Sequence, residues 1–425
     1  MLPLGRHQMY FVRPSTSNIL GVHKCDLEKE CRSWAKSSRE RIEVGMYLDY
    51  QAAIFINCYS LFMKVVQIIT RVNQGGTARW LETLCVGMQE QGIEVVLIAG
   101  SVQDGEIEDP FFVNFNGVRI KGLGRSVSIF QDLTAFFTLR RLIRDIDPDV
   151  VNTHTAKAGV LGRLCAFSLF GKKPLVVHTY HGHLLYGYFN SVITRLVTLI
   201  EKILGFVTDI FISSGNKVRD ELIGAGVGSK KKFVVVRPGV KTIQLQSKAT
   251  LRSDLSIADD AIVVGWLGRL TQIKRPDRVI ELAQKLPHII FLMGGDGDLA
   301  VSLRADCPPN VKLIGWTSPE LIWSISDIAL LTSENEAQPL SLVEAAGAGL
   351  PLVGENVGSV SEIFDDRKSG FLVNNLEERI DALNVLANDF ELRVRMGAEA
   401  KKIAIERFGV KQFIDAHMSV YISGI

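Results

Sequence analysis

The chain has 425 residues, 47% of them hydrophobic and 22% charged, enough for two or three domains with large buried cores at roughly 100–200 residues each. Its 48 Lys plus Arg against 46 Asp plus Glu leave a formal +2, which excludes the concentrated basic surface of a nucleic-acid binder; 37 Gly and 13 Pro exclude collagen-like and low-complexity chains. Six scattered cysteines (Cys25, Cys31, Cys58, Cys85, Cys165 and Cys307) form neither a disulfide framework nor paired zinc-ligand spacings, as expected in a reducing cytoplasm.

Residues 1–62 mix charges, aromatics and Cys with no sustained period, and no apolar core marks a secretory signal. The stretch from Ala52 to Met63 is broken by Asn57 and Ser60 and falls short of the roughly 20 residues that cross a bilayer. The expectation is an unstructured extension, with the working start at Met63; a short extra domain is the alternative. From there strands and helices alternate. VVQIIT (65–70) predicts a strand, QGGT (74–77) a glycine turn, 78–92 a helix and 93–100 the next strand. Helix 130–146, strand 150–155, helix 157–171 and strand 174–181 follow, then helix 191–206, strand 209–214, helix 216–226 and strand 232–239. A polar stretch over 241–260 reads as a linker. Strands then fall at 261–268, 288–295, 311–316, 328–333, 350–356 and 370–373, with Pro276 opening a helix, and 377–419 is helical throughout. Apolar strands separated by helices indicate parallel βαβ units with both sheet faces covered. The expected domains are 63–240 and 241–408, with a last helix from 409 to 425 returning to the first.

LTSENEAQPLSLVEAAGAG (331–349) carries the most chemistry. Glu336 sits in the loop after a strand, Pro339 at a helix start, and Glu344 about five residues into the helix. Amides at a helix start receive phosphate or sugar hydroxyls, and two carboxylates bracketing them grip hydroxyls on either side of a diphosphate. The plainer alternative is two carboxylates that only stabilise the helix. In GWLGRLTQIKRPDRV (265–279), Arg269 and Lys274 lie in a loop feeding a helix; there they neutralise a departing diphosphate without a metal, or are ordinary surface cations. Gly75 and Gly76 allow close backbone approach to a ligand, or simply make a tight turn. HTYHGH (178–183) ends a strand and sets His181 at a cleft. A zinc site there is discounted, because no nearby Cys, Asp or Glu completes a tetrahedral set. The pairs Asp145/Asp147 and Asp296/Asp298 read as turn and glycine-loop residues rather than metal ligands.

With QGGTARWLETL, DPDVVNTHTAKAGVLGRL, VVVRPGVK, GGDGDL, LIGW and the Glu336–Glu344 spacing in order, residues 63–420 resemble the retaining glycosyltransferases of family 4. The resemblance implies the GT-B fold, an α/β architecture of two Rossmann-like domains with parallel sheets facing across a cleft. It implies a nucleotide-sugar donor held mainly by the second domain and metal-independent transfer with retention. Carried over by residue, Glu344 becomes the ribose ligand and Glu336 the contact to donor-sugar hydroxyls. Arg269 and Lys274 become the diphosphate clamp, helped by Gly75 and Gly76, while Gln338, Pro339, Leu340 and Ser341 hold sugar and phosphate. His181 lines the reacting centre, and His154 and Lys157 sit on the acceptor side. A donor phosphate oxygen is then the proton acceptor, so Glu336 positions rather than acts as a base.

Three features depart from the family pattern: Ala337 where Gly commonly follows the first Glu, Lys241 where an acidic residue often stands, and residues 1–62. The expected function is transfer of a hexose or N-acetylhexosamine, from a UDP-sugar, to a cell-envelope or polysaccharide acceptor, glycan or lipid-linked. No cofactor and no metal are expected. The expected location is the cytoplasm, with peripheral contact on the inner membrane face. An epimerase or hydrolase of the same architecture, and a silent sugar-nucleotide-binding subunit, are the alternatives.

Overall fold

The computed structural model describes residues 63–182 and 191–425. The expected extension over 1–62, and His183 at the end of the histidine motif, lie outside the described residues.

The first domain runs β1 (Lys64–Ile69), α1 (Gly76–Glu90), β2 (Glu94–Ala99), α2 (Pro110–Asn114), β3 (Val118–Arg119), α3 (Ile129–Ile146) and β4 (Val150–His154). It continues with α4 (Ala156–Phe167), β5 (Leu175–Tyr180), α5 (Ser191–Leu204), β6 (Ile210–Ser213), α6 (Asn216–Gly224) and β7 (Phe233–Val235). The strands pair in parallel in the order β3-β2-β1-β4-β5-β6-β7. Val65 is flanked by Val95 on one side and Val150 on the other, so β1 is central. Its β-branched run is buried on both faces, which is why it does not alternate with polar residues. Ile68, Ile98 and Val151 pack on Leu139 and Ile143 of α3 and Leu161 and Cys165 of α4.

The second domain comprises α7 (Lys248–Asp254), β8 (Val263–Leu267), α8 (Pro276–Lys285), β9 (Ile290–Gly294), α9 (Ala300–Ala305) and β10 (Val311–Gly315). Then come α10 (Pro319–Ile325), β11 (Ile328–Leu331), α11 (Leu340–Ala348), β12 (Leu352–Glu355), β13 (Gly370–Val373), α12 (Leu376–Asn388) and α13 (Phe390–Arg407). Its parallel sheet has the order β10-β9-β8-β11-β12-β13. The two-residue period of a strand divides the core. Val264, Phe291, Ile328 and Val353 meet Leu282 and Leu383 on one face, while Val263, Leu292, Ala329 and Leu352 meet Trp323 and Leu342 on the other.

Residues 241–260 are more than a linker. They contain α7, which packs on α10, because Arg252 is buried and its guanidinium donates to the carbonyls of Asp259, Ala261 and Ile325 and to Asp327. The last helix, α14 (Val410–Gly424), packs on α1 of the first domain. The two crossing segments touch where Val240 N–H donates to the Phe408 carbonyl at 2.8 Å.

In each sheet the crossovers reverse direction at one place, between β1 and β4 and between β8 and β11. Loops leaving the C-terminal ends of strands at such a switch splay apart and leave a crevice. The loops after β1, β4, β8 and β11 carry most of the candidate residues, and His181 follows the neighbouring β5.

Candidate active site

The loop from Thr332 to Pro339 links β11 to α11 and is stitched to the loop after β8. Trp266 Nε1 donates to Thr332 Oγ at 2.9 Å, Thr332 Oγ donates to the Lys274 carbonyl at 3.0 Å, and Glu334 N–H donates to the Ile273 carbonyl at 2.8 Å. This brings Lys274 to Glu336. The Lys274 ammonium forms an ion pair with Glu336 Oε1, which also accepts from Ser333 Oγ at 2.7 Å. The expected clamp and the expected sugar ligand are therefore one charged unit. Arg269 is exposed and, among the described residues, forms no salt bridge.

Gly358, at φ +51, closes over this loop: a Cβ there would lie 1.5 Å from the Glu336 carbonyl oxygen, so no larger residue fits. Pro339 has no N–H and serves as N-cap, so it offers no donor to a ligand; α11 begins one residue later, with no side chain capping its first-turn amides. Beside it Gln338 is buried at 7% exposure with neither end of its amide hydrogen-bonded. A buried amide without partners costs about 1–3 kcal/mol, which a hydroxyl-rich ligand would recover.

The opposite wall is the turn after β1. Gly75 takes φ +146 as the N-cap of α1, a backbone that side chains disfavour, and a Cβ there would meet open space. A Cβ on Gly76 would lie 3.7 Å from Leu340 Cδ1, so the starts of α1 and α11 face each other across the cleft. One turn into α1, Arg79 reaches over: its Nη1 donates to Glu344 Oε1 at 2.8 Å. Glu344 is buried, and its Oε2 has no partner. Burial pushes its carboxyl up to about 7, Arg79 pulling against this and Glu320 adding to it. A cavity of about 460 Å³ beside this pair is lined by Gln74, Arg79, Glu82, Asp109, Phe111 and Trp316. It includes neither Glu336 nor His181.

His181 follows β5. It is half-buried, and a Cβ on Gly182 would lie 3.8 Å from the Ala337 methyl, so the histidine turn abuts the loop of Glu336. Its ring meets Trp80 edge-on at 4.6 Å. Burial, with His417 nearby, lowers its pKa to about 3, so the imidazole is neutral. His154 is fully buried between His181 and Gln67 at 3.0 and 2.8 Å. Lys157 spends its ammonium on the carbonyls of Gly122 and Ser126, at 2.8 and 2.6 Å, and on Asp132 at 2.5 Å. Both expected acceptor-side residues thus hold internal partners: His154 supports His181, and Lys157 ties the 122–126 loop and α3 to α4. Among the described residues, no group of three or more His, Cys, Asp or Glu converges to hold a metal ion.

Residues 74–244 match the family model described as Glycosyltransferase Family 4, and residues 247–403 the one described as Glycosyl transferases group 1. The chain belongs to glycosyltransferase family 4. It is 26% identical over 344 residues to the Escherichia coli UDP-Gal:alpha-D-GlcNAc-diphosphoundecaprenol alpha-1,3-galactosyltransferase, covering 75% of this chain and 87% of that one. Over 321 residues it is 22% identical to the capsular polysaccharide biosynthesis glycosyltransferase CapM of Staphylococcus aureus, covering 70% and 82%. Anabaena HepE, solved in complex with UDP-glucose, superimposes with a TM-score of 0.73 at 19% identity, covering 85% of this chain and all of that one. The fold is GT-B.

In this family 4 glycosyltransferase the residues that sequence reasoning missed are those that act across the cleft or from beneath. Arg79 carries a signal in hindsight: it lies three residues after Gly76, one turn along the same helix face. Trp80 and Tyr421 carry none, since each reads as ordinary core, whereas Gln67 stands out as a polar residue inside the apolar run of β1. Lys241, one of the three departures from the family pattern, lies 4.0 Å from Glu82, which lines the cavity beside Arg79.

Proposed function

We propose that the chain transfers a hexose or N-acetylhexosamine from a UDP-sugar to a cell-envelope or polysaccharide acceptor, with retention and without a metal. The observation that carries this is the Lys274–Glu336 pair set beside the uncapped start of α11, next to a buried amide with no partners. Lys274 and the helix dipole neutralise the leaving diphosphate. Glu336 and Gln338 hold donor-sugar hydroxyls, and Glu344 accepts from the ribose on its unpartnered oxygen. The bond from the anomeric carbon to the diphosphate breaks, the acceptor oxygen bonds to that carbon, and its proton passes to the leaving phosphate oxygen. The Escherichia coli relative's name supports a UDP-sugar donor and a lipid-diphosphate acceptor, and CapM's name supports polysaccharide assembly.

Among the described residues no helix is long and apolar enough to cross a membrane. The same reading places the protein on the cytoplasmic membrane face. There α5 exposes Val192, Leu196, Leu199 and Ile203 along one side, followed by Phe206, with Arg195 and Lys202 on the same helix. The arginine-bearing helix α3 contributes Phe130, Leu133 and Phe137, also exposed.

Purified chain is to be assayed against UDP- and GDP-sugars, with and without a chelator. Acceptor-stimulated nucleotide release from a UDP-sugar supports the proposal. Release abolished by chelator overturns the metal-free mechanism, release indifferent to acceptor makes the chain a hydrolase, and binding without turnover makes it a silent subunit. Sedimentation with anionic vesicles, lost in Leu196→Ser/Leu199→Ser, checks the membrane face.

A further inference from the structure

Beneath His181 a buried chain of side chains leads to the last helix. Thr179 Oγ donates to Asn152 Oδ1 at 3.0 Å, so the amide nitrogen of Asn152 is the end that donates to Tyr421 Oη, at 2.9 Å. Gln67 Nε2 donates to the same oxygen at 3.2 Å, which turns Gln67 Oε1 toward His154 Nε2, 2.8 Å away. An amide oxygen only accepts, so His154 carries its proton on Nε2. Burial, reinforced by His181 and His417, holds His154 well below the usual histidine range, so it is neutral and its Nδ1 is a lone pair. His181 Nε2, 3.0 Å from that lone pair, must therefore be the donor. A neutral His181 protonated on Nε2 leaves Nδ1 bare.

We propose that Gln67, His154 and Tyr421 are positioning residues that fix the proton of His181 on Nε2 and leave its Nδ1 as an acceptor for a substrate hydroxyl. A hydroxyl that donates to this nitrogen gains electron density on its oxygen, whereas the opposite tautomer would withdraw it. The inference deepens the transferase proposal and rests on it only for the identity of the hydroxyl. It also gives α14 a task beyond packing. Tyr421 is 354 residues from Gln67 in the chain, and His417, one turn earlier, meets Trp80 edge-on at 5.0 Å while Trp80 in turn braces His181.

The test uses the full chain labelled with ¹⁵N-histidine and two-bond proton–nitrogen correlation spectra near neutral pH. Of the 8 histidines, His181 is assigned by its loss in His181→Gln. The expected result is a protonated Nε2 and a bare Nδ1 in the unaltered chain. Tyr421→Phe and Gln67→Met should each admit the Nδ1–H form. In sugar transfer they should lower kcat roughly tenfold and leave the donor KM within about twofold, as expected when an oriented hydrogen bond is lost. A core defect alone would leave the tautomer unmoved. An Nδ1–H signal in the unaltered chain overturns the inference even if both variants fail to fold, and so does an unchanged tautomer in both folded variants. The stated tautomer in a chain that turns over no nucleotide-sugar upholds the relay and sinks the transferase proposal.

Discussion

Replacing Arg79 with Met keeps the aliphatic stem and removes the guanidinium that spans the cleft to Glu344. The pair is 2.8 Å long, with the arginine side chain 32% exposed and the carboxylate 7%. A hydrogen bond to a charged group contributes about 1.5–3 kcal/mol, and each pKa unit corresponds to about 1.4 kcal/mol, so removing Arg79 raises the Glu344 pKa by about one to two units. Starting from about 7, the carboxyl of the variant would be almost wholly protonated at neutral pH. The bond proposed from it to a ribose hydroxyl would then lose charge assistance, about 1–2 kcal/mol, or roughly 5–30-fold in affinity. Calorimetric titration with UDP at stepped pH values measures this. Affinity of the unaltered chain should climb as pH rises through about 7, the climb in Arg79→Met should come one to two units higher by the same reckoning, and Glu344→Gln should bind weakly without a climb. The groups facing Glu344 are Arg79 and Glu320, and Glu320→Gln should move the climb the other way. Superimposable pH curves for Arg79→Met and the unaltered chain would refute the coupling.

Lys274→Ala should cut kcat/KM at least about 100-fold, measured with whichever nucleotide-sugar proves active, since it removes the charge proposed to face the leaving diphosphate. Arg163→Met should destabilise the fold by about 3–5 kcal/mol in urea titrations, because Arg163 Nη2 bridges both Glu201 oxygens at 2.9 Å in a fully buried setting and Tyr180 donates to the same carboxylate. Acid should also destabilise the protein. His181 and His417 titrate at about 3 and 4 in the fold, so their contributions are present above the ordinary histidine range near 6.5 and lost at about 1.4 kcal/mol per group per pH unit below it. Glu344, raised to about 7, has the opposite sign, contributing most below its ordinary carboxylate range and losing that as pH rises through 7. A melting temperature that falls from pH 7 to 4.5, with a shallower fall in His417→Phe, checks the balance.

What was legible in the sequence were elements whose signal is local. Pro276 opens α8, as a proline suits a first helical turn, and the run 370–373 is β13 residue for residue. Most other strand limits move inward by one or two residues, while β1 starts one residue earlier, at Lys64, and β7 stops at Val235, four short of the expected end, because a strand ends where its partner does and the partner is not in the window. The two-residue β3 has no apolar pattern, both residues being exposed at the sheet edge. Helix α7 is hidden because what holds it is one buried arginine, Arg252, which reads as a surface charge in any hydropathy profile. The glycine turn after β1, the loop of Glu336 and the histidine strand end were legible for a related reason. Each follows the C-terminal end of a parallel strand, the first two at a topological switch and the histidines one strand further along, where a parallel sheet places its ligand loops.

The contacts that turn these loops into one site were not legible, because they join residues far apart in the chain. Lys274 and Glu336 each read as a separate ligand, yet the structure joins them in one ion pair. Arg79, from the facing domain, partly offsets the burial that raises the carboxyl of Glu344, the residue expected to hold the ribose. Tyr421, in a helix that crosses back after the second domain is complete, sets the proton of a histidine lining the first. In each case a binding group is held by a residue on another element. The candidate site therefore depends on neighbours that no local pattern reveals, and a truncation removing α14 should disturb it as surely as a substitution within it.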